Sequence, residues 1–200
     1  IDNRYVYIIG AFDPSNDVFE EWSKSYIFDT MTDTFVNISA SSHSNIANME
    51  YVIRGETGCV TSDNNYIYYV GGNQKRDTLD YPQHLQIFDL SMNSWIPLQN
   101  ISIFPSSTDS NVNQYFWLVS PSCMVYDNIL YITGGYWATC LSGCSPVRMN
   151  TIYSYNIMTN AWSDSSLTTM SNGNSYQRTI IGPNNKYLYI FGGYITRIRW

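Results

Sequence analysis

One short phrase, a run of β-forming residues that ends in a glycine pair, recurs along this chain and constrains its fold more than any other feature. Three copies match closely, and they are Tyr66–Gly72, Ile129–Gly135 and Tyr187–Gly193. A less exact copy, Tyr5–Ala11, lies near the N-terminus and has alanine in place of the second glycine. The first glycines lie at 10, 71, 134 and 192, at spacings of 61, 63 and 58 residues. A period of this kind indicates an array of similar structural units.

Each unit is predicted to contain four short strands, of which the glycine phrase is the second. Turns rich in Asn and Asp, which tolerate positive φ, join the first strand to the second. The first strands are predicted at 58–62, 122–126 and 178–182, the third at 25–29, 85–89 and 152–156, and the fourth at 36–39, 96–100 and 163–167. An aromatic residue of each third strand is followed seven residues later by another. These pairs are Phe28 and Phe35, Phe88 and Trp95, and Tyr155 and Trp162.

A glycine pair, an aromatic residue 17 to 21 positions later and a Trp or Phe seven beyond it together resemble the kelch repeat. Ala11 and Phe35 depart from that pattern. The resemblance implies an all-β chain, a kelch-type β-propeller segment of about three four-stranded antiparallel blades. The expected blade equivalents are 1–50 without its first strand, 51–117, 118–175, and 176–200 with its first two strands only. Propellers close with four or more blades, so the remaining blades are expected from the same longer chain or from a second copy.

The repeat positions also predict a core. The signature positions expected to be structural are Gly10, Gly71, Gly72, Gly134, Gly135, Gly192, Gly193, Phe28, Phe88, Tyr155, Phe35, Trp95 and Trp162. The residues expected to be buried are Cys59, Cys123, Val70, Tyr131, Phe191, Phe88, Tyr155, Trp95 and Trp162.

The connections between strands differ in length, and the long ones are expected to lie together. Second-to-third and fourth-to-first connections are long, whereas the other turns are short, and in a four-stranded meander the two long kinds emerge at one edge. We call that edge the long-loop face and expect the binding residues there, because scaffold-held loops carry function. The candidates are Trp22, Arg54, Arg76, Tyr81, His84, Tyr115, Phe116, Trp117, Tyr136, Trp137, Arg148 and Arg178. For Phe116 and Trp117, packing beneath their own loop is the alternative.

The four cysteines divide into two kinds. Cys59 and Cys123 each precede a second strand by seven residues, where the next repeat has Ile180, so both are expected to be buried, reduced thiols. Cys140 and Cys144 lie in an insert and are expected to form a local disulfide, which would favour a secreted or cell-surface location. A free pair is the alternative, and a metal site is less favoured because no His lies nearby.

Composition excludes several function classes. The net charge is −6 with only 10 Lys and Arg, so no basic surface for nucleic acid is expected. No apolar run is long enough to insert into a membrane. With His43 and His84 as the only histidines, no metal, cofactor or catalytic set is expected. The two Asn-x-Ser sequons, at Asn37 and Asn100, are no more than composition would give.

The sequence therefore predicts a non-catalytic module that binds a protein or peptide, possibly a glycan, through the long-loop face. The alternative is part of a carbohydrate-active enzyme, sugar oxidase-like or epimerase-like. Only the resemblance supports this alternative, because some enzymes of this kind also contain kelch-type propellers. A fold by itself does not define a function.

Overall fold

The computed structural model describes residues 4–9, 25–35, 53–74, 85–92, 94–97, 100–102, 117–138, 147–163, 168–170 and 172–194. These residues form β-strands joined by turns, and they confirm the all-β prediction. The first seven strands are β1 Tyr5–Ile9, β2 Ser25–Asp29, β3 Thr34–Phe35, β4 Ile53–Ser62, β5 Tyr66–Gln74, β6 Leu85–Asp89 and β7 Ser94–Trp95. The next five are β8 Trp117–Val119, β9 Ser122–Tyr126, β10 Ile129–Thr133, β11 Tyr136–Ala138 and β12 Val147–Arg148. The last five are β13 Thr151–Asn156, β14 Ala161–Trp162, β15 Thr168–Thr169, β16 Ser175–Ile181 and β17 Leu188–Tyr194.

The strands pair into successive antiparallel sheets in the order that the repeat predicts. The N-terminal sheet has the order β1-β2-β3, and the first blade has the order β4-β5-β6-β7. The second blade contains β9, β10, β13 and β14, with β15 also paired to β13, and the terminal hairpin is β16-β17. The strand β9 packs against both β4 and β16, so the first strands of successive blades are neighbours. In the described part of the chain, no helix is long and apolar enough to cross a membrane.

The core lies between the sheets, and β5, the second strand of the first blade, buries both of its faces. In β5, Ile67 and Tyr69 point to one side and pack with Ile27 of the N-terminal sheet. Tyr68 and Val70 alternate with them and join the larger cluster, which includes residues of β10 and β13. Since side chains alternate along a strand, this double burial explains the uninterrupted hydrophobic run of β5.

The predicted core is confirmed for four of its nine members, and four more are partly buried. Val70, Phe88, Trp95 and Tyr155 are buried. Others, namely Cys59, Cys123 and Trp162, are partly buried against the larger cluster. Tyr131 is half-buried on the other face of β10.

Phe191 corrects the core prediction, because its side chain is 53% exposed. It lies on the outer face of the terminal hairpin with Ile180 and Tyr189, and those two side chains are exposed as well. Among the described residues, no further sheet covers that face. The N-terminal sheet likewise exposes Val6 and Ile8 on the side that points away from the first blade.

The fourth strands also differ from the prediction. They begin earlier than expected and contain the aromatic residue itself, as in Ser94–Trp95 and Ala161–Trp162. The reason is a direct cross-strand pairing: Phe88 lies opposite Trp95, and Tyr155 lies opposite Trp162. The ring centroids of these pairs are 5.3 Å and 5.0 Å apart, within the range of favourable aromatic contacts.

Backbone geometry explains the residue types at the turns and strand ends. The three glycine pairs all have positive φ, a conformation that allows the backbone to bend sharply at the end of the repeated phrase. Asp127 and Asn128, at the β9–β10 turn, also have positive φ, which a two-residue hairpin of this kind demands. At the β4–β5 turn Asp63 instead uses its carboxylate, which accepts hydrogen bonds from the backbone N–H groups of Asn65 and Tyr66.

Candidate functional site

The second strands end under the backbone of a neighbouring segment at the long-loop face. A Cβ on Gly71 would collide with the Leu118 carbonyl oxygen, and a Cβ on Gly134 would collide with the Gln177 side chain and the Asn174 carbonyl oxygen. In both cases the crossing segment leads into the first strand of the following sheet. The glycines therefore allow successive sheets to approach closely at this face.

Three short strands lie at the long-loop end of the second blade, in segments that were predicted to be loops. The strands β8, β11 and β12 pair in the order β12-β11-β8, which repeats the order of β13, β10 and β9 beneath them. Tyr136 lies opposite Arg148 and also opposite Val119. Residues placed on such a sheet are positioned more firmly than residues on a free loop.

Arg148 links this small sheet to the terminal hairpin. Its Nη1 donates hydrogen bonds to Ser175 Oγ at 2.7 Å and to the Tyr194 carbonyl oxygen at 2.8 Å. Its guanidinium carbon lies 4.8 Å from the centre of the Tyr194 ring, at cation–π distance. A cation is thus fixed between two sheets, next to an aromatic ring that is 61% exposed.

Tyr176 completes the group, and its backbone has an unusual conformation. Its φ is +61°, in the left-handed region that bulky residues rarely adopt, and its side chain is 62% exposed. Its N–H donates to the Ser120 carbonyl oxygen at 3.2 Å. Strained residues of this kind are concentrated at functional sites. We call Tyr136, Arg148, Tyr176 and Tyr194 the tyrosine–arginine cluster.

Burial raises the pKa of Tyr136, and the neighbouring Tyr176 side chain raises it further, whereas Arg148 acts in the opposite direction. Like any tyrosine near pH 7, its hydroxyl is neutral and can both donate and accept a hydrogen bond. The cluster offers aromatic faces, one hydroxyl of this kind and one fixed cation.

Buried polar contacts hold the two sheets beneath the cluster. Gln177 Nε2 donates to the Thr133 carbonyl oxygen at 2.6 Å, and the hydroxyls of Thr133 and Thr179 are hydrogen-bonded at 2.6 Å. Asn174 Nδ2 donates to the Gly192 carbonyl oxygen at 2.8 Å. The bonds from Thr133 join β10 to the terminal hairpin, and the Asn174 bond holds the start of β16 against β17. Together they fix the distance between the two halves of the cluster.

Two buried polar atoms next to Tyr176 are unsatisfied. Ser120 Oγ and Gln177 Oε1 are buried and have no hydrogen-bond partner among the described residues. Ser120 is bonded to Tyr176 through the backbone, and Gln177 follows Tyr176 in the chain.

Comparison with known proteins identifies the architecture. Residues 118–166, which hold the second blade and the small sheet, match the family model of the Kelch motif. The chain has a kelch-type propeller fold. The resemblance seen in the sequence is thereby confirmed for the fold.

A solved structure with this fold, titled "Structure of YjhT", matches at a TM-score of 0.59 and 14% sequence identity. The match covers 88% of this chain and 48% of that one, so the chain spans about half the length of that propeller. At this identity the likeness shows the kelch-type fold alone. No curated protein matches the sequence.

The kelch scaffold brings together some of the predicted binding residues. Tyr136 and Arg148 lie in the cluster, and Arg178 is exposed on the outer face of the terminal hairpin. Trp137 corrects the prediction: its side chain belongs to the larger hydrophobic cluster, because it points to the opposite side of β11 from Tyr136. The others lie outside the described residues or have only their backbone described there; they are Trp22, Arg54, Arg76, Tyr81, His84, Tyr115, Phe116 and Trp117.

Sequence reasoning missed Tyr176 and Tyr194, although one of them carried a signal. Tyr194 follows Gly192-Gly193 just as Tyr136 follows Gly134-Gly135, so the two tyrosines occupy equivalent positions in successive repeats. Tyr176 has no such signal, because its position in β16 is not part of the repeated phrase and its positive φ is not favoured by its residue type.

The cysteine prediction is wrong for one pair. Cys59 and Cys123 are joined by a disulfide, with their Cα atoms 5.9 Å apart. They were expected to stay reduced because they belong to different blades, but the first strands of adjacent blades are neighbours, which brings the two positions together. The predicted Cys140–Cys144 disulfide lies outside the described residues and stays a prediction.

Proposed function

We propose that this chain is a non-catalytic binding module that recognises a protein or peptide through its long-loop face, with the tyrosine–arginine cluster at the centre of the contact. The observation that carries the proposal is the cluster itself. It places exposed Tyr176 and Tyr194 beside the fixed Arg148. Tyrosine and arginine are the residue types that most often dominate binding energy at protein interfaces.

The side chains of the cluster are also suited to binding because they lose little freedom when a partner packs on them. Arg148 is already oriented by Ser175 and Tyr194, so little side-chain entropy is lost when a partner packs on it. The exposed tyrosine rings have few rotatable bonds and offer large contact areas. Kelch repeats in general mediate protein interactions, which agrees with this choice of partner.

Selection from a random peptide library displayed on phage tests the proposal. We expect enriched peptides to bind the chain and to lose at least about tenfold in affinity with Tyr176→Ala or Arg148→Ala. Met158→Ala is the matched control, because Met158 is 76% exposed in the β13–β14 turn at the opposite end of the blade. The proposal fails if no peptide is enriched, or if the enriched peptides respond to Met158→Ala and ignore the cluster.

The enzyme alternative, part of a sugar oxidase-like or epimerase-like protein, stays a prediction from the resemblance. Within the part of the chain that the structure describes, no three His, Cys, Asp or Glu side chains come close enough together to hold a metal ion. Both histidines, His43 and His84, lie outside that part. No observation on the described residues favours this alternative, so it is not developed further.

A further inference from the structure

The Asn-Ile-Ser sequon at residues 100–102 occupies a well-defined place in the fold. The segment follows β7 and forms a short turn in which the Asn100 N–H donates to the Pro97 carbonyl oxygen at 2.8 Å. Asn100 is exposed, whereas Ile101 is buried in the larger hydrophobic cluster. The sequon is thus anchored by its middle residue and presents its asparagine to solvent.

The other polar groups of the sequon are used by the second blade. Asn160 Nδ2 donates to the Asn100 carbonyl oxygen at 2.7 Å, and Asn160 Oδ1 accepts from the Ser102 N–H at 3.0 Å. The Ser102 hydroxyl donates to the Asn160 carbonyl oxygen. Trp162 Nε1 donates to the Ser102 carbonyl oxygen at 2.9 Å. None of these hydrogen bonds uses the Asn100 side chain.

The order of synthesis matters for this arrangement. The residues that engage Ser102 lie 58 to 60 positions later in the chain. During synthesis the sequon therefore emerges before the segment that will bind its hydroxyl, while Asn100 and Ser102 are both still accessible. Once the second blade has folded, the exposed position of Asn100 still leaves room for a bulky group.

The disulfide adds an independent observation about the compartment. Bonds such as Cys59–Cys123 form and persist in oxidising environments, which include the lumen where asparagine-linked glycans are added. Composition accounts for the presence of a sequon, but not for its exposed asparagine in a chain with a disulfide between blades.

We propose that the chain enters the secretory pathway and carries an N-linked glycan on Asn100. In this reaction Asn100 Nδ2 loses a proton and bonds to the anomeric carbon of an oligosaccharide. The bond that breaks is the one between that carbon and the diphosphate of a lipid-linked donor, and the lipid diphosphate is the leaving group. No oxidant or reductant is required.

The position of the glycan is compatible with binding elsewhere. Asn100 lies beside Asn160 in the β13–β14 turn, at the short-turn end of the blade, whereas the tyrosine–arginine cluster lies at the long-loop face. A glycan on Asn100 would therefore shield the outer edge of the array near β7 and leave the cluster open.

The test is peptide mapping of the protein purified from its own cells. Treatment with peptide N-glycosidase in heavy-oxygen water converts a glycosylated Asn100 to a labelled aspartate, and an untreated sample controls for spontaneous deamidation. We expect labelled aspartate at position 100 in the fraction whose Cys59 and Cys123 are oxidised. An unmodified Asn100 in that oxidised fraction would overturn the proposal.

Variants secreted from cultured eukaryotic cells provide the second measurement. Asn100→Gln should abolish a glycosidase-sensitive mobility shift, whereas Ser102→Thr, which keeps both the sequon and a hydroxyl for Asn160, should retain it. Asn37→Gln separates the contribution of the other sequon. If the shift survives Asn100→Gln and disappears with Asn37→Gln, Asn100 is not the site.

Discussion

Cys59 and Cys123 occupy equivalent positions in the first strands of two adjacent blades, and a disulfide joins them across the blade boundary. The bond closes a segment of 64 residues and ties β4 to β9 on the side where successive first strands meet. It therefore restrains the position of one blade relative to the next, in contrast to a disulfide that closes a short loop.

Replacing both cysteines by alanine should lower the free energy of unfolding by about 4 kcal/mol, the loop-closure value for a segment of this length. Urea denaturation without reductant measures the difference, and reduced wild-type protein should resemble the variant. Alkylation of the unreduced, unfolded protein followed by peptide mapping identifies the free thiols. Finding Cys59 and Cys123 alkylated would contradict the disulfide.

The two signature tryptophans should respond differently to the same substitution. Trp162 Nε1 donates a hydrogen bond to Ser102, whereas Trp95 Nε1 is buried and has no partner within the described part of the chain. Changing either to alanine should cost about 3 to 5 kcal/mol, since both rings pack against the core. Changing each to phenylalanine isolates the N–H group, and Trp162→Phe should cost about 1 kcal/mol more than Trp95→Phe. Equal costs by chemical denaturation would argue against this contrast.

The sequence was sufficient to predict the first three strands of each blade, the positive φ at the glycine pairs and the order of the sheets, because each depends on local patterns that repeat. The alternation of Ile67, Tyr68, Tyr69 and Val70 between two clusters follows from the pleat of a strand buried on both faces. Contacts between repeats were harder to foresee. The Cys59–Cys123 bond depends on how closely the first strands approach one another, which no spacing within one repeat reveals.

The candidate site was predictable only in part. Tyr136 and Arg148 were named from their place in a long connection, but their pairing depends on the strands β11 and β12, which the sequence did not indicate. Trp137, the neighbour of Tyr136, is buried because the connection forms a strand and alternation directs its side chain inward. Phe191 is exposed because burial of a repeat position also requires a neighbouring sheet.

Alanine substitutions in two glycine pairs test the close approach of successive sheets. Gly134 and Gly192 both have positive φ, so alanine at either position should cost about 1 to 2 kcal/mol in backbone strain. A Cβ at Gly192 meets no neighbouring atom, whereas one at Gly134 collides with Gln177 and Asn174. Gly134→Ala should therefore cost a further ~1 to 3 kcal/mol. Thermal or urea denaturation would contradict the account if the two variants were equally stable.

The ion pair between Arg4 and Asp29 predicts how stability depends on pH. Arg4 donates to Asp29 at 2.6 to 3.0 Å, and these hydrogen bonds hold the pKa of that carboxyl well below its usual value. A depressed pKa stabilises the fold above the unfolded value of about 4, and that stabilisation is lost as the pH falls below it. Asp29→Asn should weaken the loss of stability between pH 5 and pH 2, relative to wild type, in urea titrations. Asp127→Asn, in the exposed β9–β10 turn, controls for removal of a charge, and an identical acid response of the two variants would contradict this assignment.

The most direct test of the binding proposal is site-specific cross-linking in an extract of the cells that make the protein. The photoreactive amino acid p-benzoylphenylalanine is introduced in place of Tyr176 in one sample and in place of Met158 in the other, since both side chains are exposed but lie at opposite ends of the blades. We predict discrete protein adducts from position 176 that are competed by unmodified chain, and no competed adducts from position 158. Competed adducts from position 158 alone, or none from either position, would contradict recognition of a protein partner through the long-loop face.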